Sequence, residues 1–184
     1  MLVYDCEIIK CIPTGEVLPK YSYCNGWRDF DNMGISAIGY SDLINYWYDL
    51  EPFTNFKAIA QKSLVVVGFN SKQFDDELCK ANGIDVKTDY DLLEEIRIAA
   101  FGSPDWQSTP KGFSYSLDAI SKANGMAKTG HGALAPQLWQ DGKHQEVIDY
   151  CLNDVKLTVQ ILELGIKGKL IDPNTGKYLK LKSL

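Results

Sequence analysis

The chain has 184 residues, of which 45% are hydrophobic, and this length and composition are typical of one globular domain with a proper core. Its longest apolar run, at residues 64–69, is too short to cross a bilayer, and acids at positions 5 and 7 argue against a signal peptide. The five cysteines form no CxxC pair, which argues against a disulfide framework and a structural zinc site. We therefore expect a soluble, cytoplasmic protein in a reducing compartment, with no membrane partner.

The net charge of −5 conceals an uneven distribution along the chain. Residues 167–184 hold five lysines and one aspartate, whereas residues 1–166 hold 14 basic and 23 acidic side chains. The body is therefore at −9 and the C-terminal segment at +4. An acidic body argues against a nucleic-acid partner, because such proteins usually neutralise phosphates with a basic surface. The objection holds unless the acids themselves bind cations.

The predicted elements of the first half begin with a strand in MLVYDCEII. Two further strands, in MGISAIGYSD and LINYWYDL, form a hairpin-like meander with it, and residues 52–62 are predicted to be helical, with Pro52 in the first turn. The run SLVVVGFN has the pattern of a strand buried on both faces. The segment SKQFDDELCKANG after it predicts a helix that ends at Gly83, so the two form an α/β unit.

The second half continues with a possible fifth short strand in DVKTDYDLL and a helix in YSLDAISKANG. Apolar spacing over residues 143–165 predicts a long helix, and two strand-like pieces flank a turn at residues 172–176. This order predicts an α/β fold, a mixed five-stranded sheet with helices on both faces. We assign residues 1–166 to one domain and residues 167–184 to a basic extension resembling a β-hairpin.

The first strand carries two acids in an apolar setting. Because side chains alternate along a strand, Asp5 and Glu7 share one face, while Tyr4, Cys6 and Ile8 line the other. Two like charges side by side in an apolar strand are costly unless a cation or solvent compensates for them. The strand therefore predicts either a wet edge or a cation site.

Two other segments carry acids in similar positions. Asp75 and Asp76 lie in the first turns of a helix that leaves a central strand, where α/β sheets usually bind ligands. Tyr150 and Asp154 are four residues apart and share one helical face. Hard oxygen ligands without nearby His or Cys favour magnesium or manganese over zinc. Two such ions would balance four carboxylates and are suited to phosphodiester hydrolysis.

Three motifs in this order resemble the DEDD superfamily of 3′-5′ exonucleases. They are Asp-x-Glu, Asn-x-x-x-Phe-Asp and Tyr-x-x-x-Asp, at Asp5/Glu7, Asn70/Phe74/Asp75 and Tyr150/Asp154. The superfamily has the ribonuclease H-like fold and includes the proofreading domains of DNA polymerases. The resemblance spans residues 1 to about 165, and GFNSKQFDDELC and YCLNDVKLT look most like stand-alone exonucleases related to the B-family proofreading domain. A tyrosine four residues before the last aspartate, rather than a histidine five before it, indicates the tyrosine subtype.

The resemblance implies a role for each motif residue. Asp5 would bridge two Mg²⁺ or Mn²⁺ ions, and Glu7 and Asp154 would complete the metal on the nucleophile side. Asp75 would hold the other metal, partly through water, and Tyr150 would orient the attacking water. The implied reaction releases nucleoside 5′-monophosphates from the 3′ end of single-stranded nucleic acid, preferably DNA.

Each motif also has a structural interpretation when taken alone. Asp-x-Glu occurs on the exposed face of edge strands, acids in a first helical turn interact with the helix dipole, and Tyr-x-x-x-Asp is an ordinary helix-surface pair. The ordered conjunction of all three favours the site. Asp75 is preferred over Asp76 because it matches the Phe-Asp pair.

Three residues are predicted to contact substrate. Asn70 either touches the substrate or, like Ser71, caps the helix after it, and Phe74 forms a wall beside the terminal base or part of the core. Lys128 lies in the Gly-rich segment AKTGHGA, which contacts phosphates or is a solvated loop. The lysine-rich C-terminal segment holds nucleic acid by charge or is an ordinary soluble hairpin.

The leading hypothesis is a metal-dependent 3′-5′ exonuclease. An exoribonuclease of the same chemistry is the alternative, since discrimination of ribose depends on contacts to the 2′-hydroxyl that the motifs do not reveal. A catalytically silent nucleic-acid-binding module is disfavoured, because all four acids and the tyrosine are present.

Overall fold

A computed structural model describes residues 1–15, 17–127 and 132–184, and it is built around a mixed five-stranded sheet. The strands are β1 Leu2–Ile8, β2 Ile35–Ser41, β3 Tyr46–Asp49, β4 Val66–Gly68 and β5 Tyr90–Asp91. They lie in the order β3-β2-β1-β4-β5. Antiparallel pairing joins β1, β2 and β3, whereas β4 and β5 run parallel to β1. The predicted meander and mixed sheet are confirmed.

Helices cover both faces of this sheet, as predicted. They are α1 Phe30–Met33, α2 Thr54–Ala60, α3 Asp75–Ala81, α4 Leu92–Phe101, α5 Leu117–Ala123, α6 Ala135–Gln140 and α7 His144–Ile166. One apolar core lies between the sheet and α1, α2 and α3, and a second lies between the sheet and α4, α5 and α7. Within the described ranges, no helix combines the length and the apolar character needed to cross a membrane.

Strand β1 contributes side chains to both sides of the sheet. Tyr4 and Cys6 pack into the core with α1, α2 and α3, whereas Val3 packs into the core with α7. Asp5 and Glu7 share the face of Val3, because side chains alternate along the strand. The same pattern that builds the two cores therefore directs both acids towards α7.

The two helices predicted in the middle of the chain differ from expectation at their starts. Helix α2 begins at Thr54, so Pro52 precedes the helix instead of lying in its first turn. The helix predicted after β4 is divided into a 3₁₀ turn, Ser71–Gln73, and α3. The division occurs at Phe74, whose φ of −133° is not helical.

Helix α4 was missing from the sequence prediction, which placed only a strand in this region. The two-residue strand β5 ends at Asp91, and the side chain of Asp91 caps α4 by accepting hydrogen bonds from the N–H groups of Leu93 and Glu94. The helix ends at Gly102, which adopts the left-handed conformation with φ 77°. The segment DVKTDYDLL contains all of β5 and the first two residues of α4, so its strand-like pattern predicted a strand and not the start of a helix.

The C-terminal segment forms a second, two-stranded sheet. Strands β6 Leu170–Ile171 and β7 Tyr178–Leu179 pair antiparallel across a turn at residues 172–176. Leu170, Leu179 and Leu181 are buried in the same core as α7. The hairpin therefore packs against the larger sheet domain, and the domain boundary at residue 166 stays a prediction.

Candidate active site

The first and third motifs face each other across the gap between β1 and α7. Oxygen atoms of Asp5 and Glu7 and the sulfur of Cys151 all lie within 4.8 Å of one another. The side chain of Tyr150 is hydrogen-bonded to Asp154, and the charges of Asp5 and Glu7 act on the same phenol. The folded chain thus brings together residues that are about 150 positions apart in sequence.

Burial and like charge shape the electrostatics of this cluster. Glu7 and Asp154 are only 7% and 5% exposed. Burial raises the pKa of the Tyr150 hydroxyl far above its usual value, and the negative charge of Asp154 raises it further. Burial also raises the pKa of the Cys151 thiol, with a further contribution from Asp5. Both groups are therefore protonated near neutral pH.

The second motif reaches β1 where β4 has ended. Strand β4 pairs with β1 only as far as Val3, so the backbone of β1 beyond that residue has an open edge. The N–H of Cys6 lies on this edge and donates a hydrogen bond of 3.0 Å to Oδ1 of Asp75. Asp75 therefore contacts the strand at the residue between Asp5 and Glu7.

Asp75 and Asp154 adjoin the close group of Asp5 and Glu7 without belonging to it. Asp154 is connected to the group through Tyr150, and Asp75 through the backbone of Cys6. Burial raises the pKa of Asp75 to about 7, an effect that the Cys6 hydrogen bond only partly offsets. The site is therefore an anionic pocket in which further negative charge is strongly disfavoured.

The neighbouring acid, Asp76, has different surroundings. Its carboxylate accepts hydrogen bonds from the Tyr4 hydroxyl, from the N–H of Thr88 at 2.9 Å and from the Thr88 hydroxyl at 2.8 Å. The Thr88 hydroxyl also shares a hydrogen bond of 2.9 Å with that of Ser71. Asp76 is thus part of a polar network that ties β1 and α3 to the segment before β5.

Asp91, which the sequence analysis did not single out, holds the backbone of the second motif. Its carboxylate accepts hydrogen bonds from the N–H of Asn70 at 3.0 Å and of Lys72 at 3.2 Å. Asp91 is only 1% exposed, and it caps α4 at the same time. Its sequence signal was an aspartate directly ahead of LLEE, a pattern typical of a helix start.

The predicted substrate residues have different positions. Asn70 adopts the left-handed conformation with φ 61° and makes no side-chain capping bond, so it does not cap the helix. Ser71 does not cap it either, because its hydroxyl is paired with Thr88. Lys128 lies outside the described residues.

A cleft of about 270 Å³ opens beside Glu7. Phe74 and Trp27 form part of its wall, with ring centroids 6.2 Å apart in an edge-to-face arrangement. Trp27 is 63% exposed. Gly132 also lines the cleft, and a Cβ added to it would come within 2.9 Å of the Tyr150 hydroxyl. A larger open depression of about 600 Å³ beside α3 contains none of the motif residues.

Helix α7 makes a close contact with the sheet at Gly39 of β2. The N–H of Gly39 donates to the sulfur of Cys151 at 3.1 Å, and this sulfur lies 3.4 Å from the backbone oxygen of Asp5. A Cβ on Gly39 would lie 3.0 Å from that sulfur and 3.2 Å from Cγ2 of Val155. The glycine therefore permits the approach that brings the third motif to the first.

Comparison with known proteins gives one line of support for the fold. No protein-family model and no curated protein matches the chain. Among solved structures, it is similar to the family B DNA polymerase of the hyperthermophilic archaeon Pyrobaculum calidifontis, with a TM-score of 0.60 and 16% sequence identity. The similarity covers 95% of this chain and 26% of the polymerase chain, so the chain spans about a quarter of that protein. At this identity the likeness shows the fold alone, and it agrees with the ribonuclease H-like α/β fold expected from the motifs.

Proposed function

We propose that this chain is a metal-dependent 3′-5′ exonuclease that shortens single-stranded nucleic acid, preferably DNA, and releases nucleoside 5′-monophosphates. The observation that carries the proposal is the convergence of acids from β1, α3 and α7 beside a cleft. The likeness of the fold to part of a DNA polymerase supports a nucleic-acid substrate.

The donor atoms of the site fit divalent cations. Asp5, Glu7, Asp75 and Asp154 offer hard carboxylate oxygens, and no histidine accompanies them among the described residues of the cluster. Contrary to the expectation from sequence, a cysteine does lie among them, but burial raises the pKa of the Cys151 thiol, and a protonated thiol is a poor metal ligand. Carboxylate ligands favour Mg²⁺ or Mn²⁺, and the burial of like charges favours a bound cation. We propose that Asp5 is shared by two ions, that Glu7 and Asp154 complete one site, and that Asp75 serves the other. When bound, the ions supply an activated water and stabilise the attacking and leaving oxygens.

Tyr150 would act as a hydrogen-bond donor. Its raised pKa keeps the phenol protonated, so the hydroxyl donates to oxygen and does not serve as a base near neutral pH. Its position beside Asp154 and Glu7 suits the orientation of an attacking water. The phenol would thus fix the direction of attack without taking up the proton.

The cleft would receive the 3′-terminal nucleotide. Phe74 and Trp27 present aromatic surface against which a base can stack. Gly132 leaves room beside the Tyr150 hydroxyl, since a side chain there would collide with it. Asn70 and Lys128 are proposed to contact the sugar and phosphates of the same strand.

The test is degradation of a 5′-labelled single-stranded DNA of 20 nucleotides with Mg²⁺, Mn²⁺ or EDTA. A ladder that shortens from the 3′ end only with metal is expected, and Asp5→Asn should lower the rate by about 100-fold or more. Asp149→Asn is the matched control, because Asp149 is exposed on the same helix as the third motif and pairs with Gln145. Shortening that survives EDTA or Asp5→Asn would overturn the proposal, and faster cleavage of RNA would assign an exoribonuclease.

Metal binding has a second readout that does not depend on activity. Mn²⁺ at about 100 times its dissociation constant should stabilise the folded protein by about 2.7 kcal/mol, because it binds only the native site. Thermal unfolding should show this shift in the wild type and in Asp149→Asn. The shift should be absent in Asp5→Asn.

A further inference from the structure

The outer face of the C-terminal hairpin combines lysines with an aromatic ring. In the register of β6 and β7, Leu170 pairs with Leu179, and both side chains are buried. Because side chains alternate along a strand, Lys169, Tyr178 and Lys180 face the opposite way. We call Lys169, Tyr178, Lys180 and Lys182 the basic face, and all four are exposed, Tyr178 to 70%.

The charge of the basic face is not balanced within the hairpin. The acid of residues 167–184 is Asp172, which is only 4% exposed. Its carboxylate accepts hydrogen bonds from the N–H of Asn174 at 2.9 Å and the hydroxyl of Thr175 at 2.7 Å, so it serves the turn. Lys167, which lies outside the basic face, pairs with Glu163 at 3.2 Å.

The packing of the hairpin explains its leucines and leaves its outer face unexplained. Leu170, Leu179 and Leu181 fill the core, and exposed lysines are common on strands because they prevent pairing with other sheets. That role does not require a largely exposed tyrosine among the lysines. Tyr178 instead borders an open groove of about 600 Å³ that Lys169 also lines.

We propose that the basic face binds single-stranded nucleic acid, with lysines on the phosphates and a base stacked on Tyr178. Lysine contacts and aromatic stacking are the two interactions by which proteins bind single strands without reading their sequence. Residues 1–166 have a net charge of −9, whereas the C-terminal segment has a net charge of +4 and so offers an excess of positive charge to phosphates. The inference rests on the proposed function for the identity of the partner.

The hairpin lies close enough to the candidate active site for one nucleic-acid strand to contact both the site and the basic face. The N–H of Leu181 donates to the backbone oxygen of Gly165, which lies 11 residues after Asp154 on α7. At the rise of a helix this separation is about 16 Å, the length of about five nucleotides at duplex spacing. A strand longer than this is therefore the appropriate probe.

The experiment measures binding of fluorescent (dT)20 by anisotropy in a background of Asp5→Asn, over a series of NaCl concentrations. A triple variant, Lys169→Ala, Lys180→Ala and Lys182→Ala, should weaken binding and reduce the salt slope by about 2, at about 0.7 per phosphate contact. The control triple, Lys62→Ala, Lys80→Ala and Lys87→Ala, removes the same charge from exposed sites elsewhere and should leave both values unchanged. Circular dichroism and urea unfolding verify that each variant is folded.

A second pair of variants tests the ring. Tyr178→Ala should weaken binding of (dT)20 by roughly 5- to 100-fold, whereas Tyr178→Phe should retain it. The inference would be overturned if both lysine triples lost (dT)20 binding equally, or if Tyr178→Ala had no effect. It would also be overturned if the triple variant of the basic face lost binding to phosphatidylserine vesicles but bound (dT)20 as before. All of these variants lack the Asp5 carboxylate, so the binding measurement does not depend on nuclease activity. If the wild type has no nuclease activity, the proposed function is refuted, and the binding measurement still decides whether the basic face holds nucleic acid.

Discussion

Two adjacent acids at the start of α3 have different surroundings, which suit one to the candidate site and the other to a structural role. Asp75 contacts the backbone of β1 at Cys6, next to Asp5 and Glu7, whereas Asp76 is held by polar groups of Tyr4 and Thr88. Both acids are in the first turn of one helix. Their one-residue offset directs one towards the anionic pocket and the other into the supporting network.

This contrast predicts opposite effects of one conservative substitution. Asp75→Asn keeps an acceptor for the Cys6 N–H but removes a charge that we propose to bind metal, so under the proposed function the exonuclease rate should fall by about 100-fold with stability changed by less than about 1 kcal/mol. Asp76→Asn should cost about 1–3 kcal/mol of unfolding free energy, because an amide cannot replace a carboxylate that accepts three bonds. Urea unfolding and the rate on (dT)20 with Mg²⁺ separate the two effects. A larger rate loss in Asp76→Asn would reverse the assignment.

No local sequence pattern marks the residues that act through backbone contacts. The motif acids are recognisable because carboxylates on an apolar strand demand an explanation. Asp91 and Cys151 carry no such signal, since an aspartate before a helix and a cysteine on a helix face usually have ordinary structural roles. Asp91 bonds to Asn70 and Lys72 across about 20 residues of chain, which no local pattern reveals.

At the scale of elements, the site depends on how closely α7 lies against the sheet. Gly39 is one point of close contact, since its N–H donates to the sulfur of Cys151, and the third motif lies on the helical turns around that cysteine. The long apolar spacing predicted α7 from sequence. Its distance from β2 was not predictable, because it depends on a glycine in a different strand.

Gly39→Ala should therefore loosen the site. The added Cβ would lie 3.0 Å from the sulfur of Cys151 and 3.2 Å from Cγ2 of Val155, so these atoms of α7 must move by a few tenths of an ångström, at a cost of about 1–3 kcal/mol. The rate on (dT)20 should fall along with the urea midpoint. Gly15→Ala is the matched control, because nothing lies within 4 Å of its Cβ position, and its stability should change by less than about 0.5 kcal/mol. An unchanged rate in Gly39→Ala would show that the catalytic geometry tolerates movement of α7.

The larger elements were predictable because their hydrophobic patterns are strong. Strands β1 to β5 lie where the alternation and apolar runs placed them, and so do α5 and α7. The errors occurred where tertiary contacts override local pattern. Helix α3 is separated from its 3₁₀ turn at Phe74, and α4 begins at Leu92, directly after the last residue of β5.

At the scale of the whole molecule, the C-terminal hairpin contributes to the main core. Leu170, Leu179 and Leu181 pack with α7, and a Cβ on Gly165 would lie 2.4 Å from the Cδ1 atom of Leu181. The Tyr90 hydroxyl of β5 also donates to the backbone oxygen of Lys182 at 2.7 Å. The sequence suggested an extension, because local pattern does not report where a hairpin packs.

Leu181→Ala should consequently destabilise the whole protein. Removal of a leucine side chain that is 2% exposed is expected to cost about 2–5 kcal/mol, measured by urea unfolding. The control, Leu184→Ala, alters a leucine that is 46% exposed and should cost less than about 0.5 kcal/mol. If Leu181→Ala unfolds at the wild-type midpoint, residues 167–184 are a separable extension after all.

The alternation of β1 has a consequence for how this chain can change. Odd positions supply the acids and even positions fill a core, so the same seven residues serve both the candidate site and the packing of the sheet. Deleting one residue ahead of Asp5 would exchange the two faces, burying carboxylates among apolar side chains and turning Tyr4 towards α7. We therefore expect insertions and deletions within β1 to disrupt both the core and the candidate site at once.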